Sequence, residues 1–355
     1  MLPKLGIGFV LAALSLLLLL FSGCAPGGTQ SPGEKEGASQ AERLLIVDSA
    51  GRAVEVPRPV KRIVTINSDV LEVICALGGA DLVVGVSDTA KFPPLVKEKP
   101  RVGESFTPSV EKIVELQPDV VFGYGRFLKP ELARQVEQAG IPLVSLDCYK
   151  IETMERDIRT LGLILGRQEE ADAYLELWEK YLGLVREMTK DLKPEARPRV
   201  YLEGYTDYKT VSAGSGGHEL LEIAGGINIA AAEPVPYPQV SPEWVVAQDP
   251  DVIIKAVSSR VASGYGASPE EMAKEREAII SRPGWHNIKA VKEGRVYLIS
   301  SEIYTAPRGV VGFSYFAKWL HPELFADLDP QKVHREILEK FHGLELQGTY
   351  VYPEA

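Results

Sequence analysis

Apolar and polar positions fall into three regimes along this chain. The first is an apolar, leucine-rich run over 5–21, introduced by Lys4 and closed by the small residues Ser22 and Gly23. A positive start, a run of this kind and a small-residue boundary make a secretory leader, which is removed and stays out of the fold. A membrane-spanning helix needs about 20 apolar residues, so the run is short for one. The second regime, 25–42, reads APGGTQSPGEKEGASQAE, with no apolar period at all. It buries too little surface to offset its ordering entropy and reads as a flexible leash.

From residue 44 onward short apolar runs alternate with helical spacing. Runs at 44–47 and 53–56 flank Asp48-Ser49-Ala50-Gly51 and predict a hairpin. Strands are expected at 62–66, 82–86, 119–122 and 143–146, with helices at 69–77, 109–116, 131–139 and 153–165. Helical spacing then continues over 169–192 with no proline and only Gly183 among glycines, stopping before Pro194. A helix of that length spans about 35 Å, more than one crossover needs, and suits a strut. After it the grammar restarts, with strands at 199–203, 251–254 and through 298, and helices at 217–223, 242–247, 309–320 and 331–341. Strands alternating with helices at this spacing argue for parallel sheets faced by helices.

The halves echo one another. Thr107-Pro108-Ser109 followed by Gln117-Pro118-Asp119 in the first matches Ser241-Pro242-Glu243 followed by Asp249-Pro250-Asp251 in the second. In each, the first proline is expected to open a helix, where its missing N–H costs nothing, and the later Pro-Asp to turn into a buried strand. Leu71-Glu72-Val73 before Gly78-Gly79 likewise matches Leu221-Glu222-Ile223 before Gly225-Gly226. The same order in both halves predicts duplicated lobes.

Composition narrows the function classes. Net charge is −10, and loss of Lys4 with the leader makes the mature chain more acidic still, which argues against nucleic acid and against a polybasic membrane patch. Of three cysteines, Cys75 and Cys148 read as buried thiols rather than a disulfide, and no pair has metal-site spacing. The five histidines are scattered, so no metal site is expected.

Phe21-Ser22-Gly23-Cys24 resembles a bacterial lipobox, with Phe21 where that box usually carries Leu. Cys24 is then expected to be acylated and to become the mature N-terminus, anchoring the protein outside the cytoplasm by lipid alone.

Beyond the leash the chain resembles the substrate-binding lipoproteins of ABC importers for iron-siderophores, haem and cobalamin. The segments that carry the likeness are Arg62-Ile63-Val64-Thr65-Ile66-Asn67-Ser68, Gln117-Pro118-Asp119-Val120-Val121, Leu221-Glu222-Ile223-Ala224-Gly225-Gly226-Ile227-Asn228, Pro236-Tyr237-Pro238-Gln239-Val240-Ser241, and Trp285-His286-Asn287 through Gly294-Arg295-Val296-Tyr297. The resemblance implies two Rossmann-like α/β lobes joined by one long helix, with ligand in the cleft between them. The boundaries expected are leader 1–23, lipidated N-terminus and linker 24–43, N-terminal lobe 44–166, linker helix 167–193 and C-terminal lobe 194–355.

It also implies one surface glutamate per lobe, Glu72 and Glu222, offered to arginines on a permease dimer. Loops at the carboxyl ends of strands should line the cleft. They hold Phe92, Ser105, Phe106, Tyr124 and Arg126 in the first lobe, and Tyr205, Tyr208, Tyr237, Arg260, Tyr304 and Arg308 in the second. Tyrosine faces and planar arginine donors suit a large, flat or anionic metal chelate: a ferric siderophore, haem or a corrinoid. Tyr124 and Tyr237 stand where cobalamin binders of this family often carry Trp. No resident cofactor, no catalysis and a monomer are expected. The competing readings are import of free Zn or Mn ions, which needs converging His and carboxylates, and a surface-anchored enzyme. For the latter, Gly214-Ser215-Gly216-Gly217-His218-Glu219 is the best stretch, but it lacks the last glycine of a dinucleotide fingerprint and any Walker lysine.

Overall fold

The expected hairpin forms: Glu42–Val47 pairs antiparallel with Ala53–Arg58, and the Asp48 carboxylate accepts the N–H groups of Ala50 and Arg52 at 3.0 and 2.9 Å to close its turn. The computed structural model describes residues 42–125, 129–258, 260–305 and 307–354. The leader, most of the leash, Cys24 and Arg126 lie outside the described residues.

Two sheets follow, with no strand in common. In the first lobe Val83–Val86, Ile63–Thr65, Val120–Gly123 and Leu143–Ser145 lie side by side, all parallel. In the second, Ile227–Asn228, Arg199–Glu203, Val252–Val257 and Val296–Ser300 are parallel, and Val351–Tyr352 closes the edge antiparallel. The sheet-centre strands Ile63–Thr65, Val120–Gly123 and Val252–Val257 are buried at every position, as parallel strands covered on both faces must be.

The internal echo has a physical basis. The Asp119 carboxylate accepts the N–H groups of Lys61 and Arg62 at 2.7 and 2.8 Å, and the Asp251 carboxylate accepts that of Arg199 at 2.8 Å. Each Pro-Asp therefore pins the start of the neighbouring strand. The serines act alike too: Ser109 Oγ accepts the Lys112 N–H and Ser241 Oγ that of Trp244, each capping a helix. The prolines differ. Pro242 is the first residue of its helix, whereas Pro108 lies in a two-residue strand before the cap, so only the second half starts its helix on proline.

Helix Ile151–Leu165 ends at Gly166 in the left-handed region (φ 67°), and helix Gln168–Thr189 follows. Its 22 residues span about 33 Å. This strut is not the sole tie between the lobes. One buried apolar cluster runs from Val70, Leu71 and Ile74 through Tyr174, Trp178 and Leu182 of the strut to Phe313 and Phe316 of the second lobe. Part of the interlobe seam is therefore packed, where the sequence suggested two units braced apart by a rod. Two elements were also not legible: helix Glu270–Ile280 and the edge strand Val351–Tyr352. The helix expected at 331–341 is Pro330–Ile337, continued by a π-turn over Leu338–His342. Cys75 and Cys148 are free buried thiols.

Candidate ligand cleft

The helix Ser68–Ala76 reaches both sides of the seam. Asn67 caps it, its Oδ1 accepting the N–H groups of Asp69 and Val70 at 2.8 and 3.2 Å, and its Nδ2 donating to the Leu146 carbonyl at 2.7 Å. That cap ties the start of the helix to the carboxyl end of the sheet. Asp69, in the first turn, is half-buried; Glu72, one turn on, is buried in the packed seam.

Glu72 is a correction. It was expected as a surface knob for the permease, yet it is 5% exposed. Its two carboxylate oxygens accept Arg308 Nε at 2.8 Å and Nη2 at 3.3 Å, from the other lobe. Arg308, expected to line the ligand cleft, is wholly buried and corrected likewise. Its Nη2 also meets Glu302 at 3.2 Å, its Nη1 meets His334 Nε2 at 3.0 Å, and its guanidinium lies 3.9 Å above the Phe92 ring. Phe92, a third expected lining residue, is buried in the same knot, edge-on to His342 with centroids 5.0 Å apart.

The strut sets the knot in place, because Tyr174 and Trp178 both donate to the Pro307 carbonyl, at 3.1 and 2.8 Å. Burial and the Arg308 charge hold His334 well below its ordinary pKa and His342 down to about 3, so both imidazoles are neutral and His334 serves as an acceptor. With Arg308 charged throughout, the lobes are joined by a buried bidentate ion pair.

Two further expected residues are engaged away from the mouth. The Tyr208 N–H donates to Glu203 at 3.0 Å, and its ring carries the Arg282 guanidinium at 4.5 Å. Glu203 is buried and also binds Lys255 at 2.8 Å and both ends of Arg282, so Tyr208 belongs to a charge network inside the second lobe. Arg260 is exposed, and its charge acts on Asp207 of that network. Ser105 is buried and hydrogen-bonds Thr89 at 2.8 Å.

The remaining expected residues meet at the mouth. From the first lobe come Phe106, 47% exposed, and Tyr124, with ring centroids 5.4 Å apart. Tyr124 Oη accepts the Ser68 N–H at 3.3 Å, which places it beside Asp69. From the second lobe come Tyr205 and Tyr237, 46% and 47% exposed, and Tyr304, edge-on to Tyr205 at 6.3 Å. Tyr304 is buried with no hydrogen-bond partner for its hydroxyl among the described residues, and it rests on Gly217, where an added Cβ would come within 2.0 Å of it. That close approach explains a glycine at this helix start better than a phosphate loop does.

Burial pushes the Tyr205 phenol above its usual range, and the charge of Asp69 from the other lobe adds to the shift. Burial pushes Asp69 itself up to about 8, with Glu72 and Asp147 adding to it and the Tyr124 hydrogen bond opposing. Asp69 was not legible: it sat among helix-start residues, with no signal beyond its place after a strand. Among the described residues, no three His, Cys, Asp or Glu side chains converge as a metal site.

The family model of periplasmic binding proteins matches residues 63–303. The chain belongs to that family, and it is an extracytoplasmic substrate-binding protein of an ABC importer. It is 26% identical over 323 residues to YvrC of Bacillus subtilis (strain 168), an uncharacterised ABC transporter substrate-binding lipoprotein, covering 89% of this chain and 98% of the relative. It is 29% identical over 261 residues to a cobalamin-binding protein of Halobacterium salinarum, covering 70% of this chain and 69% of the relative. The solved structure of the Haemophilus influenzae molybdate-binding protein MolA superposes with a TM-score of 0.74 at 22% identity, over 86% of this chain and 99% of MolA, a likeness of fold.

Proposed function

We propose that the protein captures a corrinoid in the mouth between its lobes and delivers it to the permease. The observation that carries this is the make-up of the mouth. Rings from both lobes surround it, the charge that acts on Tyr124 and Tyr205 among the described residues is the Asp69 carboxyl, and two of the three arginines expected there lie elsewhere, the third, Arg126, being outside the described residues. Such a site favours a flat chelate rimmed by neutral hydrogen-bonding groups over an anionic one. The cobalamin-binding relative points the same way. Haem ligated by tyrosinate fits less well, because burial and Asp69 push Tyr205 away from ionisation.

The leader pattern and the lipoprotein YvrC support acylation of Cys24 as the anchor. Docking in the second lobe is assigned to Glu222, which is exposed on helix Gly216–Ile223. In the first lobe it falls to a residue other than Glu72. The protein acts as a monomer that binds without chemistry.

Equilibrium titration of the mature chain with cyanocobalamin, haemin and a ferric tris-catecholate tests the reading. One-to-one binding of cyanocobalamin, tighter than either of the others, is the expected result; preference for the anionic chelates contradicts it.

A further inference from the structure

We propose that a charge cluster in the second lobe, built by Glu203, Lys255, Arg282 and Asp207, is the positioning device for two rings that lobe offers at the mouth, Tyr205 and Tyr237. The inference rests on the reading above that those rings contact the ligand, and it names what holds them in place before the ligand arrives.

Glu203 ends strand Arg199–Glu203, and Tyr205 stands two residues beyond it. The Glu203 side chain is 1% exposed. Its Oε1 accepts from Lys255 Nζ at 2.8 Å and Arg282 Nη2 at 2.9 Å. Its Oε2 accepts from Arg282 Nη1 at 2.8 Å, the Tyr201 hydroxyl at 2.9 Å and the Tyr208 backbone N–H at 3.0 Å. Asp207, from the loop itself, meets Lys255 at 3.1 Å and Arg282 at 3.0 Å. The loop is thus gripped at two adjacent residues, Asp207 by its side chain and Tyr208 by its backbone.

The grip holds a turn that the chain would not keep alone. Tyr208 has φ 59°, in the left-handed region that a residue with a side chain rarely adopts. Its N–H is taken by Glu203, its carbonyl accepts the Val240 N–H at 2.9 Å, and its ring lies 4.5 Å under the Arg282 guanidinium. Arg282, two residues past helix Glu270–Ile280, also lies 4.7 Å from the ring of Trp285, which belongs to the second lobe's core. Across the turn the Gly204 N–H donates to the Lys209 carbonyl at 2.7 Å, which closes the loop around Tyr205.

The loop then carries the second ring. The Thr210 N–H donates to the Pro238 carbonyl and the Ser212 N–H to the Pro236 carbonyl, both at 2.9 Å, and Gln239 Nε2 donates to the Asp207 carbonyl at 3.1 Å. Tyr237 lies between the two prolines, so its backbone is tied on both sides to the chain that leaves the turn.

Stability alone is a poor reason for such a cluster. Desolvation offsets much of the attraction between buried charges, and apolar side chains of similar volume often serve a core as well. A carboxylate and a planar guanidinium add direction, fixing one loop conformation. Rings preset in this way cost a ligand less ordering on binding.

The test compares Tyr208→Gly with Tyr208→Ala. Both remove the ring, but only glycine keeps a left-handed φ at no steric cost. Tyr208→Ala and Arg282→Ala are each expected to lower the affinity for cyanocobalamin about tenfold, because the turn leaves its competent conformation for most of the time. Tyr208→Gly is expected to bind several-fold more tightly than Tyr208→Ala. Hydrogen exchange of the Gly204 and Thr210 amides in the ligand-free chains reads the loop itself: about tenfold faster than wild type in Tyr208→Ala and Arg282→Ala, and slower in Tyr208→Gly than in Tyr208→Ala. Thermal melting confirms that each variant is folded, and if Arg282→Ala is not, the Tyr208 pair still decides. Equal affinities of the glycine and alanine variants overturn the proposal, as does wild-type affinity or wild-type exchange in Tyr208→Ala. If wild type takes no cyanocobalamin, the ligand reading fails, while the exchange rates still decide whether the cluster holds the loop.

Discussion

Asp69 and Glu72 sit one turn apart on the same helix, yet they belong to two different regions of the seam. Glu72 is sealed against Arg308, with Phe92, His334 and Tyr350 around it. Asp69 stands beside Tyr124, which packs on Phe106, and no arginine is among the described groups that act on it. The same residue chemistry, three positions apart, thus meets different partners. Burial raises both carboxyls, but Glu72 keeps a bidentate arginine that opposes the rise and ties the two lobes together, whereas Asp69 has no cation beside it among the described residues. The boundary between sealed and open is set by Phe92 and Arg308, which fill the seam beneath the mouth.

The largest expected effect breaks the sealed side. Arg308→Ala or Glu72→Ala leaves an uncompensated charge in the seam and is expected to lower unfolding stability by about 3–5 kcal/mol. The pair Glu72→Leu with Arg308→Met is expected to restore most of that loss, because the desolvation of both charges goes too. Urea unfolding of the three variants checks this; a double variant as unstable as the singles contradicts it.

The seam also shows how far the sequence carried. The alternation of strands and helices, the strut and both Pro-Asp junctions were legible because each is written in local residues: period, cap and turn. Phe106, Tyr124, Tyr205, Tyr237 and Tyr304 were legible as ring-bearing residues in loops after strands, and the structure gathers them. The partnership of Glu72 with Arg308 was not, because it joins positions 236 residues apart and nothing local marks an arginine as buried. Phe92 and Tyr208 failed for the same reason: a ring beside a guanidinium looks alike in a cleft and in a core. Helix Glu270–Ile280 has a nearly even distribution of charge, which hid its one buried stripe, Met272 and Ile279.

On the open side, Tyr205→Ala and Tyr237→Ala are each expected to weaken cyanocobalamin binding by about 0.5–1.5 kcal/mol through loss of ring contact, without comparable loss of stability. Isothermal titration measures it; full affinity in both variants removes the rings from the site.

Burial raises both carboxyls, and for Asp69 the shift defines a pH window. The folded-state pKa of Asp69 lies near 8, above the ordinary value of 3.8, so between those limits the folded chain holds a proton that the unfolded chain has lost. Its contribution is most favourable at the acid end and is lost as pH rises through the window to about 8. Asp69→Asn is therefore expected to remove part of the decline in stability between about pH 4 and pH 8. Urea midpoints across that range, in wild type and variant, check the sign; parallel curves contradict it.

The smallest effect on the fold is expected at Glu222. Glu222→Arg should shift stability by less than about 0.5 kcal/mol, as exposed sites do, while reducing stimulation of the permease's ATPase activity in proteoliposomes. Undiminished stimulation argues that docking lies elsewhere.

The claim beneath all of these is that the sealed half of the seam fixes the lobes before ligand arrives. Spin labels on Lys112→Cys and Glu243→Cys, exposed positions of opposite lobes, report the interlobe distance directly. With and without saturating cyanocobalamin, the account predicts one narrow distance distribution that moves by less than about 2 Å. A broad free-state distribution that collapses on binding, or a shortening well beyond that, would contradict it.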